Sequence, residues 1–297
     1  MIHVSILRHE GARYLRWSLG LVAVSVVIYS TQGGFQPANG GTWQGYVLGT
    51  AGALLFLWLL MLGIRKRRYS SNVGTVAGWT SAHVYLGTAL LIIATLHSAG
   101  QLGWNVHSLA YVLMCIVIFS GFYGIYTYIN YPHLITVNRS GSSRSDLFAE
   151  LFELDKRGRE LGARAPDDIN VVVRSAIERT AVGGGIYAQL AGKDQSRFVR
   201  PSSAGTSAAG KPVSNADQQP VIEFIADRLP RTNKVAETEL LQELLEVFCR
   251  RQAILRRVSH DIRLRGRIRV WLLIHIPISV ALLFAIVIHI VTTFIYW

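Results

Sequence analysis

Only two of the 297 residues are cysteine, Cys115 and Cys249. Two thiols cannot supply an iron–sulfur cluster or a cysteine-rich zinc site, and no CxxCH haem-attachment motif is present. Both read as packing residues, and the topology below separates them too far for a disulfide. Charge is scarce as well: 16% of residues are charged against 51% hydrophobic, the composition of a membrane protein with a polar part attached. Two stretches, 31–45 and 98–107, carry no charged residue at all. The glycine cluster Gly183-Gly184-Gly185 has no dinucleotide-fingerprint spacing, and there is neither a P-loop nor a Ser/His/Asp arrangement. The net charge of +12 comes without a recognition motif, so nucleic acid is not an expected partner.

What the chain does have is length of apolar sequence. Five stretches, 14–31, 46–64, 79–102, 108–131 and 269–297, approach the ~20 residues that cross a bilayer, the first near the lower limit. No small-residue cleavage pattern precedes Phe35, so the first reads as a span and not as a signal. Arg8, Arg13 and Arg16 precede the first span, Arg65, Lys66, Arg67 and Arg68 follow the second, and Arg263, Arg265, Arg267 and Arg269 lead into the last. With five spans, every charged residue falls on one side. The positive-inside rule makes that side cytoplasmic and sends the C-terminus out, as in a bacterial inner membrane. Anionic headgroups are the natural partners of this basic side.

The order implies three parts: membrane helices 1–4 in residues 1–131, a cytoplasmic insert at 132–268, and membrane helix 5 at 269–297. The insert is expected to be mainly helical. Leu147, Phe148, Leu151, Leu154 and Leu161 recur at helical spacing. Asp167 and Asp168 open a second helix that the triple glycine should end. Residues 200–220, rich in Ser, Ala, Gly and Pro, read as a flexible linker. An apolar stripe from Leu240 to Ile262 then suits an amphipathic helix continuous with the last span. Tyr187, Lys193 and Arg197 read as surface residues of a docking or assembly module.

The sharpest signal is four histidines inside apolar runs. His83 and His97 are fourteen residues apart, and so are His275 and His289. Fourteen residues span ~21 Å of helix and nearly a whole number of turns, so each pair shares one helix face. Both helices run in the same direction on this topology. Equal depths therefore match His83 with His275 at the cytoplasmic face, and His97 with His289 at the outer one. Ionisable side chains inside a membrane face the bundle interior and mark function. Two imidazoles on opposite sides of a flat macrocycle are the axial ligands of a six-coordinate haem iron. Zinc would want about four ligands at each level, and copper or a proton relay explains the repeated spacing less well. Two haem b groups are the expected cofactors, with iron atoms roughly 20 Å apart.

Gly87, one turn after His83, and Gly45, Gly49, Gly52, Gly121 and Gly124 would let backbones or a macrocycle approach closely. Arg65 and Arg269 are candidates to neutralise propionates. Each histidine's second ring nitrogen is expected to bond the carbonyl one turn earlier, at Trp79, Ile93, Trp271 and Ala285. His107 opens the fourth span at its outer face, where it reads as an interfacial residue. His3, His9, His133 and His260 sit in polar contexts and read as solvated.

The stretch from His83-Val84-Tyr85-Leu86-Gly87 to Leu96-His97-Ser98, with Trp271 to Pro277 and then His289, resembles the membrane di-haem cytochrome b group. That group includes respiratory cytochrome b subunits and ferric-reductase-type transmembrane domains. The resemblance covers the last three spans and implies an all-α membrane protein, a five-helix bundle holding two b haems and passing electrons across the bilayer. The large insert between the fourth and fifth spans departs from the group, so donor and acceptor do not carry over. A cytoplasmic redox partner or a quinone, and an outer-face electron-transfer protein such as a c-type cytochrome, would complete the path. A quinone or metal-ion reductase, and a non-redox scaffold whose histidines bridge helices, remain as alternatives.

Overall fold

The computed structural model describes residues 7–32, 39–68, 73–191, 194–201, 210–232 and 234–295. His3, Lys193 and positions 202–209 of the expected linker lie outside them. The chain divides into two compact units, Met1–Asn130 with Trp271–Trp297, and Tyr131–Val270.

The first unit is built from α1 (Arg13–Ser30), α2 (Trp43–Arg67), α3 (Val76–Ser98), the first part of α4 (Val106–Arg139) and the last part of α9 (Val235–Ile295). Threonine side chains open two of these helices. Thr42 accepts from the Gly45 N–H at 3.1 Å and Thr75 from that of Gly78 at 3.0 Å, satisfying a donor that every helix start leaves unpaired. Phe56 and Leu59 of α2, Leu90 of α3, Met114 of α4 and Leu282 of α9 meet in one buried cluster. Leu54, Phe119, Leu273 and Phe284 point outward instead. Large apolar side chains on the outside of a bundle are what a hydrocarbon solvent allows.

Four segments are long and apolar enough to cross a membrane: α2, α3, the run opened by α4, and α9. The fold is that of an all-α membrane protein. The expected fifth span is not among them. Arg13 and Arg16 occupy the first turn of α1, and Trp17 to Ser30 reaches only about 21 Å at 1.5 Å per residue, short of a ~30 Å hydrocarbon core.

The second unit starts with the last turns of α4, beyond Pro132, and continues through α5 (Arg144–Arg164), α6 (Asp167–Glu178) and the short α7 (Ile186–Ala191). Ser143 and Asp146 form a reciprocal capping box at the start of α5. The apolar face of α6, Ile169, Val172, Val173, Ala176 and Ile177, is fully or nearly fully buried. It packs with Phe198, Val221, Ile225, Leu241, Leu244 and Phe248. Burial of each such side chain stabilises by about 1.5–3 kcal/mol.

Two expectations need correction here. Helix α6 ends at Glu178, not at the triple glycine; Gly183 and Gly184 instead take the left-handed backbone conformation in the loop that follows. The described part of the linker is structured. β1 (Arg197–Val199) pairs antiparallel with β2 (Pro212–Ser214), a 3₁₀ turn covers Ala216–Gln218, and α8 (Gln219–Ala226) follows. Asn215 and Gln218 are buried there, with the Asn215 amide donating to Gln218 Oε1 at 3.0 Å. Composition misleads here because polar side chains that bond one another can be buried as readily as apolar ones. The stripe from Leu240 to Ile262 does continue into the last span: α9 is one 61-residue helix, with Pro277 inside it.

A buried guanidinium ties the second unit together. Arg251, 1% exposed, donates to Asp155 Oδ1 at 2.6 Å, Gln218 Oε1 at 2.6 Å and Thr180 Oγ1 at 2.7 Å. It thus joins α5, α6's trailing loop, the 3₁₀ turn and α9. Removing one partner from a buried charged network costs about 3–5 kcal/mol. Arg251→Ala should lower unfolding stability of the full chain by that order, whereas Arg250→Ala, which breaks the exposed pair with Glu150, should cost less than about 1 kcal/mol. Thermal unfolding of the two variants in detergent checks the difference.

Candidate functional site

Each of the four intramembrane histidines is half-buried, and each has its Nδ1 atom engaged by a group from another helix or loop. His83 Nδ1 lies 3.1 Å from the Leu59 carbonyl of α2. His97 Nδ1 lies 2.8 Å from the Gly45 carbonyl, also of α2. His275 Nδ1 lies 2.6 Å from Ser120 Oγ of α4. His289 Nδ1 meets His107 Nδ1 in a short contact at the start of α4. The expected carbonyls one turn earlier on the same helix are not the partners. Those carbonyls belong to the helix's own hydrogen-bond ladder, and the rings reach across the bundle to neighbouring elements instead.

The partners fix the tautomers. A carbonyl can only accept, so Nδ1 of His83 and of His97 carries the proton. Ser120 Oγ already donates its one hydrogen to the Val117 carbonyl at 2.8 Å, so it too accepts, and Nδ1 of His275 is the donor. In a neutral imidazole the other nitrogen then holds the lone pair. For these three rings that nitrogen is Nε2, and among the described residues no hydrogen bond engages it.

The second half of the arrangement is proximity. The rings of His97 and His289 stand 5.9 Å apart between centroids, steeply inclined at 78°. Among the described residues, no three His, Cys, Asp or Glu side chains gather as a metal group. At the level of His97 the rings of His289 and His107 stand close together, so three imidazoles lie near one another there without forming such a group.

Glycines shape the surroundings. A Cβ on Gly49 would stand 2.7 Å from Cε1 of His97 and one on Gly40 would be 3.5 Å from it, so the ring lies directly on backbone. A Cβ on Gly124 would overlap the Trp271 indole, which packs flat enough there to donate from Nε1 to the Ser120 carbonyl at 2.8 Å. Ser120 thus links Trp271 and His275, one turn apart on α9. A Cβ on Gly121 would reach His275 Cε1 at 3.9 Å, and one on Gly87 only Leu59 at 3.9 Å, both ordinary contacts.

The two arginines are placed differently from the expectation. Arg65 donates to three loop carbonyls, those of Val73 at 3.2 Å, Arg68 at 3.1 Å and Gly74 at 2.8 Å, so its guanidinium holds the α2–α3 connection. Arg269 is exposed in the second unit. His107 is exposed at its backbone position yet turns its ring edge-on to His289, 4.4 Å between centroids. Leu59 and Gly45 act through main-chain carbonyls, which leave no mark in a sequence. Ser120 does leave one: a hydroxyl directly before a glycine in an apolar run.

Gly124→Ala should force Trp271 off its site and cost about 1–3 kcal/mol, the usual penalty of overpacking. Gly87→Ala, with open space, should change stability by less than half of that; detergent unfolding curves compare them. No protein-family model, curated protein or solved structure matches this chain.

Proposed function

We propose that this protein is a five-span membrane cytochrome b that relays single electrons through two b haems, as a subunit of a membrane redox complex. The observation that carries the reading is the tautomer pattern in three of the four paired imidazoles, His83, His97 and His275: Nδ1 is held by a neighbouring element and Nε2 is left to bind. His83 and His275 would hold one haem, His97 and His289 the other. A haem held by two such histidines would supply reversible one-electron exchange.

What the chain's own residues do follows from their bonds. The Leu59 and Gly45 carbonyls and the Ser120 hydroxyl orient the rings and make them better donors, as hydrogen bonds to the far nitrogen of a metal-binding histidine do. The glycines at positions 49 and 121 keep side chains out of the space beside the His97 and His275 rings, and Gly124 leaves room for the Trp271 indole. The apolar cluster around Leu59, Leu90, Met114 and Leu282 excludes water between the two levels. Helix α1 is the fifth span in this reading, its Arg13 and Arg16 reaching back to the headgroups. The basic end of α2 and the arginines in the middle of α9, Arg263, Arg265, Arg267 and Arg269, support a cytoplasmic second unit in a bacterial cell by the positive-inside rule.

A second reading, quinone reduction at the edge of this relay, has one observation in its favour. A cavity of about 340 Å³ beside Ala82, the neighbour of His83, is walled by Trp58 and Trp79, stacked at 4.9 Å, and by Tyr14. His9 and Glu10, 3.6 Å apart, line it as well. A quinone head packed against these rings would take up two electrons from the relay, one at a time, and two protons, which His9 and Glu10 are placed to hand on.

Purified protein should show two haems per chain in a pyridine haemochrome assay. His83→Ala or His275→Ala should remove one, and His97→Ala or His289→Ala the other. Full haem content in the four-fold alanine variant overturns the reading, and a colourless preparation favours a scaffold. For the quinone reading, a soluble quinone should oxidise the pre-reduced haems of the wild type and do so at least tenfold more slowly in Trp79→Ala; equal rates sink it.

A further inference from the structure

The second unit contains a polar cavity that the electron relay does not use. Along α9, Arg256, Ser259, His260 and Arg263 recur at helical spacing on one face. With Arg257 they line a volume of about 480 Å³, closed on other sides by the loop around Gly183 and by Gln189 of α7. That is within the ~300–1,000 Å³ of small-molecule sites.

Nδ1 of His260 and Nε of Arg263 are shielded from solvent and have no hydrogen-bond partner, so neither residue is tied to a protein acceptor through that atom. The carboxylates at the wall are already engaged. Asp217 pairs with the guanidinium of Arg256. Asp194 accepts the backbone N–H of Ser196 at 2.9 Å and that of Asp217 at 2.7 Å. Asp261, the next acid on α9, is held by Arg139 at 2.8 Å and Arg265 at 3.2 Å. Among the described residues, neither Arg257 nor Arg263 pairs with an acid. Two guanidinium groups without an acid partner, and an imidazole, therefore line a volume whose wall also carries Asp194 and the Asp217–Arg256 pair.

The apolar walls narrow the class of ligand. Ala181, Ala188, Leu255 and Ile262 line the same cavity, so the ligand has a flat or aliphatic part beside its charge. Arginine pairs favour phosphate oxygens through two parallel N–H bonds. We propose that this cavity binds a phosphate ester, with Arg257, His260 and Arg263 on the phosphate and Leu255 and Ile262 against the remainder. The ester is either a soluble nucleotide or the headgroup of a phospholipid; both present the same charged oxygens.

Isothermal titration of the full-length protein in detergent tests this with ADP, pyrophosphate and short-chain phosphatidate as separate probes. At least one should bind, and Arg263→Gln and Arg257→Gln should each weaken it tenfold or more. Arg250→Gln, on an exposed pair remote from the cavity, should leave binding unchanged. Binding of ADP without phosphatidate assigns a nucleotide site; binding of phosphatidate alone assigns a lipid headgroup. Because Arg257 and Arg263 are separate positions, misfolding of one variant leaves the other to report, with unfolding curves as the control. Absence of binding by all three probes overturns the proposal, as does binding unaffected by both substitutions. Haem content plays no part in the readout, so this test stands or falls apart from the relay.

Discussion

A polar ring placed among apolar helices is unfavourable unless each of its nitrogens finds something to bond. In the first unit that constraint sets the order of everything around it. His83 and His97 on α3 take carbonyls of α2, and His275 on α9 takes a hydroxyl of α4. The partners come from different helices, so the same bonds that satisfy the rings also fix how neighbouring helices face each other. Trp271, donating to the carbonyl of the residue whose hydroxyl holds His275, adds a second tie between α9 and α4. The proposed haem ligation uses only the nitrogens that these ties leave over.

The same principle works with charge in the second unit. Arg251 is surrounded by apolar residues, with Phe248 beside its guanidinium, and is tolerated because Asp155, Gln218 and Thr180 each take one of its donors. Further along the same helix, His260 and Arg263 each keep a shielded nitrogen without a partner, and both residues line the cavity of the second unit.

Much of the membrane unit is legible in the order of its residues. Long apolar runs bounded by arginines give helices because hydrocarbon leaves the backbone no other way to satisfy itself, and the fourteen-residue repeat gives shared faces because helical geometry is fixed. The continuity of Leu240 to Ile262 with the last span is readable for the same reason. The first helix is the least legible of the membrane unit, since its apolar run counts only from Trp17, after its arginines. The linker is harder still, because serine and glycine content says nothing of an Asn215–Gln218–Arg251 network that pairs residues more than thirty positions apart.

The sequence by itself determined the helices, the charge asymmetry and which histidines share a face, all consequences of local periodicity. Only the tertiary structure decided which atoms those histidines bond, because main-chain carbonyls are identical at every position and are distinguished solely by where the helices bring them. It also decided that Arg65 ties a loop, that Arg251 is interior and that Arg263 is unpaired. Three arginines of one residue type take three roles, since the role of a charge depends on which opposite or accepting groups reach it in space.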